Sequence, residues 1–209
     1  DPRARRFFRA AEPLLERFGY RKTTVEDVCR AAGMSKRTFY ELFRDKNDLI
    51  LQWMETMIND LTESWEANMS PTLDPLGRLN SFLDLYVTMV REHPAIRVAV
   101  EDMELMRMFG AQLDRIRLAQ MGGPVDRILK DGMKAGQFRP LDPRSAMWVV
   151  FGLLDTLYLL MPHVMDTPGP LEDTRLAEET RQFIVRGLGA IDRGENQQDD
   201  VGRPGTDEQ

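Results

Sequence analysis

Helical periodicity runs through almost the whole chain, and no alternating stretch of useful length competes with it. The clearest run is Leu49, Ile50, Trp53, Met54, Met57, Ile58, Leu61 and Trp65, spaced at about 3.6 residues per turn over roughly five turns. A strand needs a two-residue period, so this pattern points to an all-α fold. The same spacing predicts helices over 4–18, after Thr24, after Ser35, and over 76–93, 95–109, 111–135, 142–161 and 171–187, about nine in all. Gly19 stops the first helix, and Pro13 inside it predicts a kink. Thr24 with Asp27, or Thr23 with Glu26, caps the second helix. Gly33 supplies a tight turn, Ser35 caps the third helix, and Asp45 with Asp48 caps the fourth. Ser70-Pro71, His93-Pro94 and Asp142-Pro143 mark later boundaries, and Gly122-Gly123-Pro124 interrupts the seventh helix.

Several classes of function find no support. The most apolar run, Ala146 to Met161, is shorter than the roughly 20 residues of a membrane span and contains Asp155 and Thr156. Two separated histidines and a single cysteine, Cys29, have no metal-ligand spacing and allow no disulfide within the chain. There is no nucleophile motif and no glycine-rich phosphate loop. The expectation is therefore no enzyme, no catalytic residues, no metal, no cofactor and no membrane partner. No stretch reads as a signal peptide, which together with the lone cysteine predicts a cytoplasmic location.

Charge divides the chain. Residues 1–50 hold 12 Lys and Arg against 8 Asp and Glu, a net of +4, and the remainder holds 16 against 26, a net of −10. A basic head on an acidic body predicts that the head alone meets a polyanion. Two short helices joined by a glycine turn and braced by a third form a helix-turn-helix, whose second helix enters the DNA major groove. On that helix Phe39, Leu42 and Phe43 share one arc, with Thr38 at its edge, while Lys36, Arg37, Tyr40, Glu41 and Arg44 share the other. Arg37 and Lys36 can reach guanine O6 and N7, and Tyr40 can meet a phosphate or a thymine methyl. Thr24, Ser35, Thr38 and Lys46 sit at helix N-termini, where phosphate is attracted. These eight residues, Thr24, Ser35, Lys36, Arg37, Thr38, Tyr40, Arg44 and Lys46, are the expected DNA contacts.

The stretch AAEPLLERFGYRKTTVEDVCRAAGMSKRTFYELFRDKNDL, residues 10–49, resembles the TetR family of bacterial transcriptional regulators. The resemblance rests on Phe18-Gly19-Tyr20, Thr23-Thr24-Val25, Asp27-Val28, Ala31-Ala32-Gly33, Ser35-Lys36, Thr38, Tyr40, Phe43, Lys46 and Leu49. It implies an all-helical homodimer with an N-terminal three-helix DNA-reading domain. It also implies a larger domain that binds a small molecule and dimerises through its last two long helices. Ligand binding then moves the two heads and releases the operator. Arg37 departs from the family, where glycine is frequent, and so do Leu42, Cys29 and Pro13.

The expected organisation is a helix-turn-helix domain over 1–48, a ligand-binding and dimerisation domain over 49–191, and a disordered acidic tail over 192–209. The body holds 12 of the 13 methionines, a residue that packs adaptable apolar pockets. Met103, Met106, Phe109, Trp148, Phe151 and Tyr158 are the candidate contacts for an apolar or aromatic effector. Asp155 and Thr156 need partners if buried; they could grip a polar group of the ligand or bond across the dimer, and the latter is the leading expectation. The leading function is a ligand-responsive repressor acting on double-stranded operator DNA. The alternative is a small-molecule-binding helical protein or enzyme whose basic head meets another acidic partner.

Overall fold

A computed structural model describes residues 1–96, 103–164 and 167–189, with side chains throughout except those of 103–109, 113, 163 and 164. Among the described residues every regular element is a helix. A head of three helices comprises α1 (Pro2–Lys22), α2 (Val25–Ala32) and α3 (Lys36–Leu42). The body comprises α4 (Lys46–Asn68), α5 (Pro75–Glu92), α6 (Met103–Gln120), α7 (Gly122–Lys134), α8 (Pro143–Asp155) and α9 (Thr174–Gly187). α8 continues through a π-helical turn, Thr156–Leu160, into a last α-helical turn, Met161–Val164. None of the described helices is long and apolar enough to cross a membrane. The expected tail, 192–209, lies outside the described residues.

Local chemistry accounts for the boundaries. The Thr24 hydroxyl accepts from the Asp27 amide at 3.1 Å, and the Asp27 carboxylate accepts the Thr24 amide at 3.2 Å, a reciprocal capping box. Those bonds select Thr24–Asp27 over the competing register. Thr23 is buried instead, and its hydroxyl donates to the Gly19 carbonyl at 2.8 Å. Gly33 ends α2 in the left-handed region at φ 61°, where a side chain would be strained. Ser35 and Asp45 cap α3 and α4 as expected, and Asp142, at the expected start of α8, caps it too, each accepting the amide three residues on.

Four expectations need correction. α1 keeps helical dihedrals through Pro13, and its break is at Gly19 (φ 74°, ψ 169°). Nothing in the structure explains Pro13. Phe18, placed on the buried stripe by its spacing, is 45% exposed, because the helix ends at Gly19 before a neighbour covers it, and it carries the Arg17 guanidinium over its ring. The boundary expected near Phe109 is absent: α6 runs through Gly110 to Gln120 and breaks at Met121. A helical glycine costs only about 1 kcal/mol, whereas Pro124 suits the first turn of α7, where its missing amide has no helical partner anyway. α8 was expected to stop at Met161-Pro162. The wider π turn, with the Met161 amide reaching back to the Thr156 carbonyl, carries the chain past Pro162 instead.

The head is built on aromatic packing. Phe7 meets Phe39 and Phe43 edge to face at 5.5 and 5.7 Å, and all three rings are essentially buried. Phe43 joins this cluster by leaving the helix, in extended backbone, just past the end of α3. Two of the links between head and body start from α1 side chains. Arg5 grips Asp60 of α4 with both terminal nitrogens, at 2.5 and 2.9 Å, and Glu12 meets His93 at 2.7 Å. In the body, Trp65, Phe82 and Phe151 form an edge-to-face chain across α4, α5 and α8, with centroids 5.8 Å apart at each step.

Gly132 on α7 shows how tightly the body closes. A Cβ there would lie 2.1 Å from the buried Phe138 ring. Gly132→Ala therefore forces Phe138 out of its seat and lowers stability by about 1–3 kcal/mol in urea denaturation, whereas alanine is normally the better helix former.

Candidate functional site

The head places the predicted DNA contacts in three groups. Lys36, Arg37, Tyr40 and Arg44 point outward from α3 and its end, and Arg37 is 89% exposed. Each of the three cations has an acidic neighbour. Lys36 meets Glu26 at 3.0 Å, Arg37 meets Glu41 at 3.3 Å, and Arg44 meets Asp48 at 3.6 Å. The bond to Glu26 raises the Lys36 ammonium above its ordinary range, and the same bond lowers the Glu26 carboxyl. Exposed pairs of this kind hold weakly, so a phosphate or a base can take over the cation.

The second group is Thr24, Ser35 and Thr38, whose hydroxyls serve the helix caps; the Ser35 and Thr38 hydroxyls lie 2.9 Å apart. Lys46 stands alone. Its ammonium donates to the carbonyls of Tyr20 and Thr23, both at 2.8 Å, and lies 3.9 Å from the Tyr20 ring centroid. It joins the end of α1 to the start of α4. Cys29 lies on the buried side of α2, and burial pushes its thiol up, the direction that keeps it protonated and unreactive.

A cavity of about 200 Å³ opens in the body among α4, α5, α6 and the end of α8. Met54, Met57 and Ile58 form one wall, Met89 and Ile96 another, and Met121, Leu159 and Leu160 a third. One corner is polar. Asp155 accepts the Tyr86 hydroxyl at 2.7 Å and is gripped by Arg117, which also reaches Asp114 at 3.1 Å. The Arg117 guanidinium lies over the Phe151 ring, 5.0 Å from its centroid. Burial and the Asp155 charge together push the Tyr86 hydroxyl well up, so it stays a donor. Burial disfavours the Arg117 charge, but the Asp155 carboxylate outweighs that effect and the guanidinium is raised overall.

This corner corrects the expected role of Asp155, which finds its partners within its own chain. Thr156 returns its hydroxyl to the Gly152 carbonyl at 2.7 Å. Of the predicted ligand contacts, Phe151 and Tyr158 sit behind the polar corner, against Arg117 and Tyr86 respectively. Trp148 lies on the outer side of α8, 43% exposed. The side chains of Met103, Met106 and Phe109 lie outside the described residues.

The cavity wall connects to the head through His93. Its amide donates to the carbonyl of Met89 at 3.1 Å, and its carbonyl accepts the amide of Ile96 at 3.0 Å. Both partners line the cavity, while the His93 imidazole holds Glu12 on α1.

Residues 7–52, the head and the first turns of α4, match the family profile described as bacterial regulatory proteins, tetR family. Over these residues the chain is similar to the TetR family of bacterial transcriptional regulators. It is similar to the uncharacterised helix-turn-helix regulator YhgD of Bacillus subtilis, 24% identical over 182 residues, covering 87% of this chain and 94% of that protein. The fatty acid metabolism regulator protein of Bacillus subtilis is 19% identical over 163 residues, 74% of this chain and 80% of the relative. Among solved structures, the fatty acid degradation regulator FadR of Bacillus halodurans aligns with a TM-score of 0.75 at 19% identity, over 91% of this chain and 98% of its own. FadR of Bacillus subtilis, in complex with stearoyl-CoA, aligns with a TM-score of 0.71 at 18% identity, over 88% and 98%. At these identities the shared property is the fold.

One more surface is exposed and largely apolar. Trp148, Val149, Gly152 and Thr156 form an exposed stripe on α8, and Phe183 on the neighbouring α9 is 68% exposed. No atom lies within 4 Å of where a Gly152 Cβ would be, so a second helix can approach closely there.

Sequence reasoning missed Arg117, Tyr86 and the Glu12–His93 link. Their partners lie 38, 69 and 81 residues away, beyond any local spacing, and only the unpaired look of Asp155 in an apolar helix gave a hint. Asp155→Ala strands Arg117 and Tyr86. It should cost about 2–4 kcal/mol in urea denaturation, toward the lower end of values for broken buried pairs because Arg117 and Asp155 retain some exposure, and Asp155→Asn should cost clearly less.

Proposed function

We propose that this TetR-family regulator is an effector-responsive repressor, cytoplasmic and homodimeric, released from its operator when a small apolar or aromatic molecule enters the body cavity. The observation that carries this reading is His93, whose backbone is bonded to two cavity-wall residues and whose side chain holds the DNA-reading head. A ligand that shifts Met89 or Ile96 moves the contact on Glu12. Met57 and Ile58 offer a second route, because α4 carries both the cavity wall and the Arg5–Asp60 pair.

The working division is a head over 1–48, a body over 49–191 and a tail over 192–209. Arg37, Lys36, Tyr40 and Arg44 are proposed to face DNA, with Thr24, Ser35 and Thr38 at phosphate-facing caps. Lys46 holds its helix end in place and adds positive charge. A cavity of about 150 Å³ accommodates benzene, so the volume here suits a ring or a short chain. The exposed apolar stripe of α8 and α9 is proposed as the dimer face. A dimer would set its two recognition helices about 34–36 Å apart to read successive turns of DNA.

Two experiments test this. In a mobility-shift titration on the promoter region beside its own gene, Arg37→Ala should lose about 1–3 kcal/mol of specific affinity with the fold intact by circular dichroism. Binding by the native protein that stays weak and indifferent to sequence would sink the proposal. In sedimentation, Phe183→Asp should shift the protein toward monomer, since it places a charge in the centre of the apolar face; an unchanged dimer would place the interface elsewhere.

A further inference from the structure

The polar corner of the cavity carries more negative than positive charge. Arg117 supplies one positive charge, and Asp114 and Asp155 supply two negative ones, within one hydrogen-bonded group. Asp155 is the better satisfied carboxylate, taking Arg117 on one oxygen and Tyr86 on the other. Asp114 takes Arg117 on one oxygen only, and its side chain is 38% exposed, at the rim. Among the described residues the other walls are methionine, leucine and isoleucine, with Gly110. By sequence, residues 97–109 hold Arg97 and Arg107 against Glu101, Asp102 and Glu104, no surplus of positive charge.

From this we infer that the effector carries a hydrogen-bond donor, cationic or hydroxyl, at one end of its apolar body: an alkyl or arylalkyl amine, or the corresponding alcohol. The inference rests on the cavity being the effector site. An ammonium beside Asp114 brings the corner to neutrality and adds a charge-assisted bond. A hydroxyl donates to the same carboxylate without changing the balance. A carboxylate would add a third negative charge among apolar walls, and could reach Arg117 only by displacing Asp155, leaving that group and Tyr86 without their partners. The acidic body, net −10 beyond residue 50, also draws cations rather than anions toward the opening.

The test uses the full chain and three probes of equal length, octylamine, octan-1-ol and octanoate, followed by calorimetric titration and by the thermal midpoint. Octylamine should bind most tightly, octanol next and octanoate least. Asp114→Asn, checked for an unchanged operator shift, should weaken octylamine about fivefold, as for a partly exposed ion pair, and leave octanol nearly as it was. Octanoate binding as tightly as octylamine would overturn the inference and show that Arg117 is the recognising group. Equal binding of all three, unmoved by Asp114→Asn, would overturn it in favour of recognition by chain alone. Binding of none would also remove the cavity as the effector site. The operator shift of the native protein, measured in parallel, would still stand for the DNA-reading head.

Discussion

One helix must satisfy two cores at once. The first turns of α4 close the head, where Trp53 shares a groove with Phe8 of α1, and its middle turns line the body cavity with Met54, Met57 and Ile58. Burial of apolar surface stabilises both contacts, and neither can be given up cheaply, since each large side chain returned to water costs about 1.5–3 kcal/mol. A displacement of α4 at one end is therefore felt at the other. The connections from α1 to the middle of α4 and to the end of α5, Arg5–Asp60 and Glu12–His93, are polar and partly exposed, so they can yield where the apolar packing cannot.

That division of strength suits a switch. The aromatic cluster of Phe7, Phe39 and Phe43 keeps the head a rigid unit, so a movement of α1 carries α3 with it. The cations of α3 and its end are paired but weakly held. Their partners, Glu26, Glu41 and Asp48, leave Lys36, Arg37 and Arg44 open to exchange onto another anion. The thread of positive charge thus stays available although the chain as a whole is acidic.

The parts legible in the sequence were those governed by near neighbours. The Thr24, Ser35 and Asp45 caps each depend on a residue three positions away, and all three form as read. The all-α architecture and the outward arc of α3 follow from periodicity alone. What stayed hidden depends on packing between distant segments. Whether Asp155 bonds within its chain or across a dimer turns on where Arg117 and Tyr86 arrive. The α6–α7 boundary turns on a comparison that spacing cannot make, between a tolerated glycine at 110 and a proline placed at the start of the next helix. Of the candidate ligand contacts with described side chains, Trp148, Phe151 and Tyr158 do not line the cavity, because methionine and aromatic density marks packing in general and the walls that enclose space are drawn from four separate elements.

The π turn at Thr156–Leu160 gives α8 two independent phases. An α-helix rotates about 100° per residue, and the extra residue in a π turn resets that rotation for everything beyond it. Before the turn, Trp148, Val149 and Gly152 look outward; at its end, Leu159 and Leu160 look into the cavity. A one-residue change in the length of that turn would swing the inner wall while leaving the outer stripe in register. Such a change would reshape the pocket without disturbing the exposed apolar stripe.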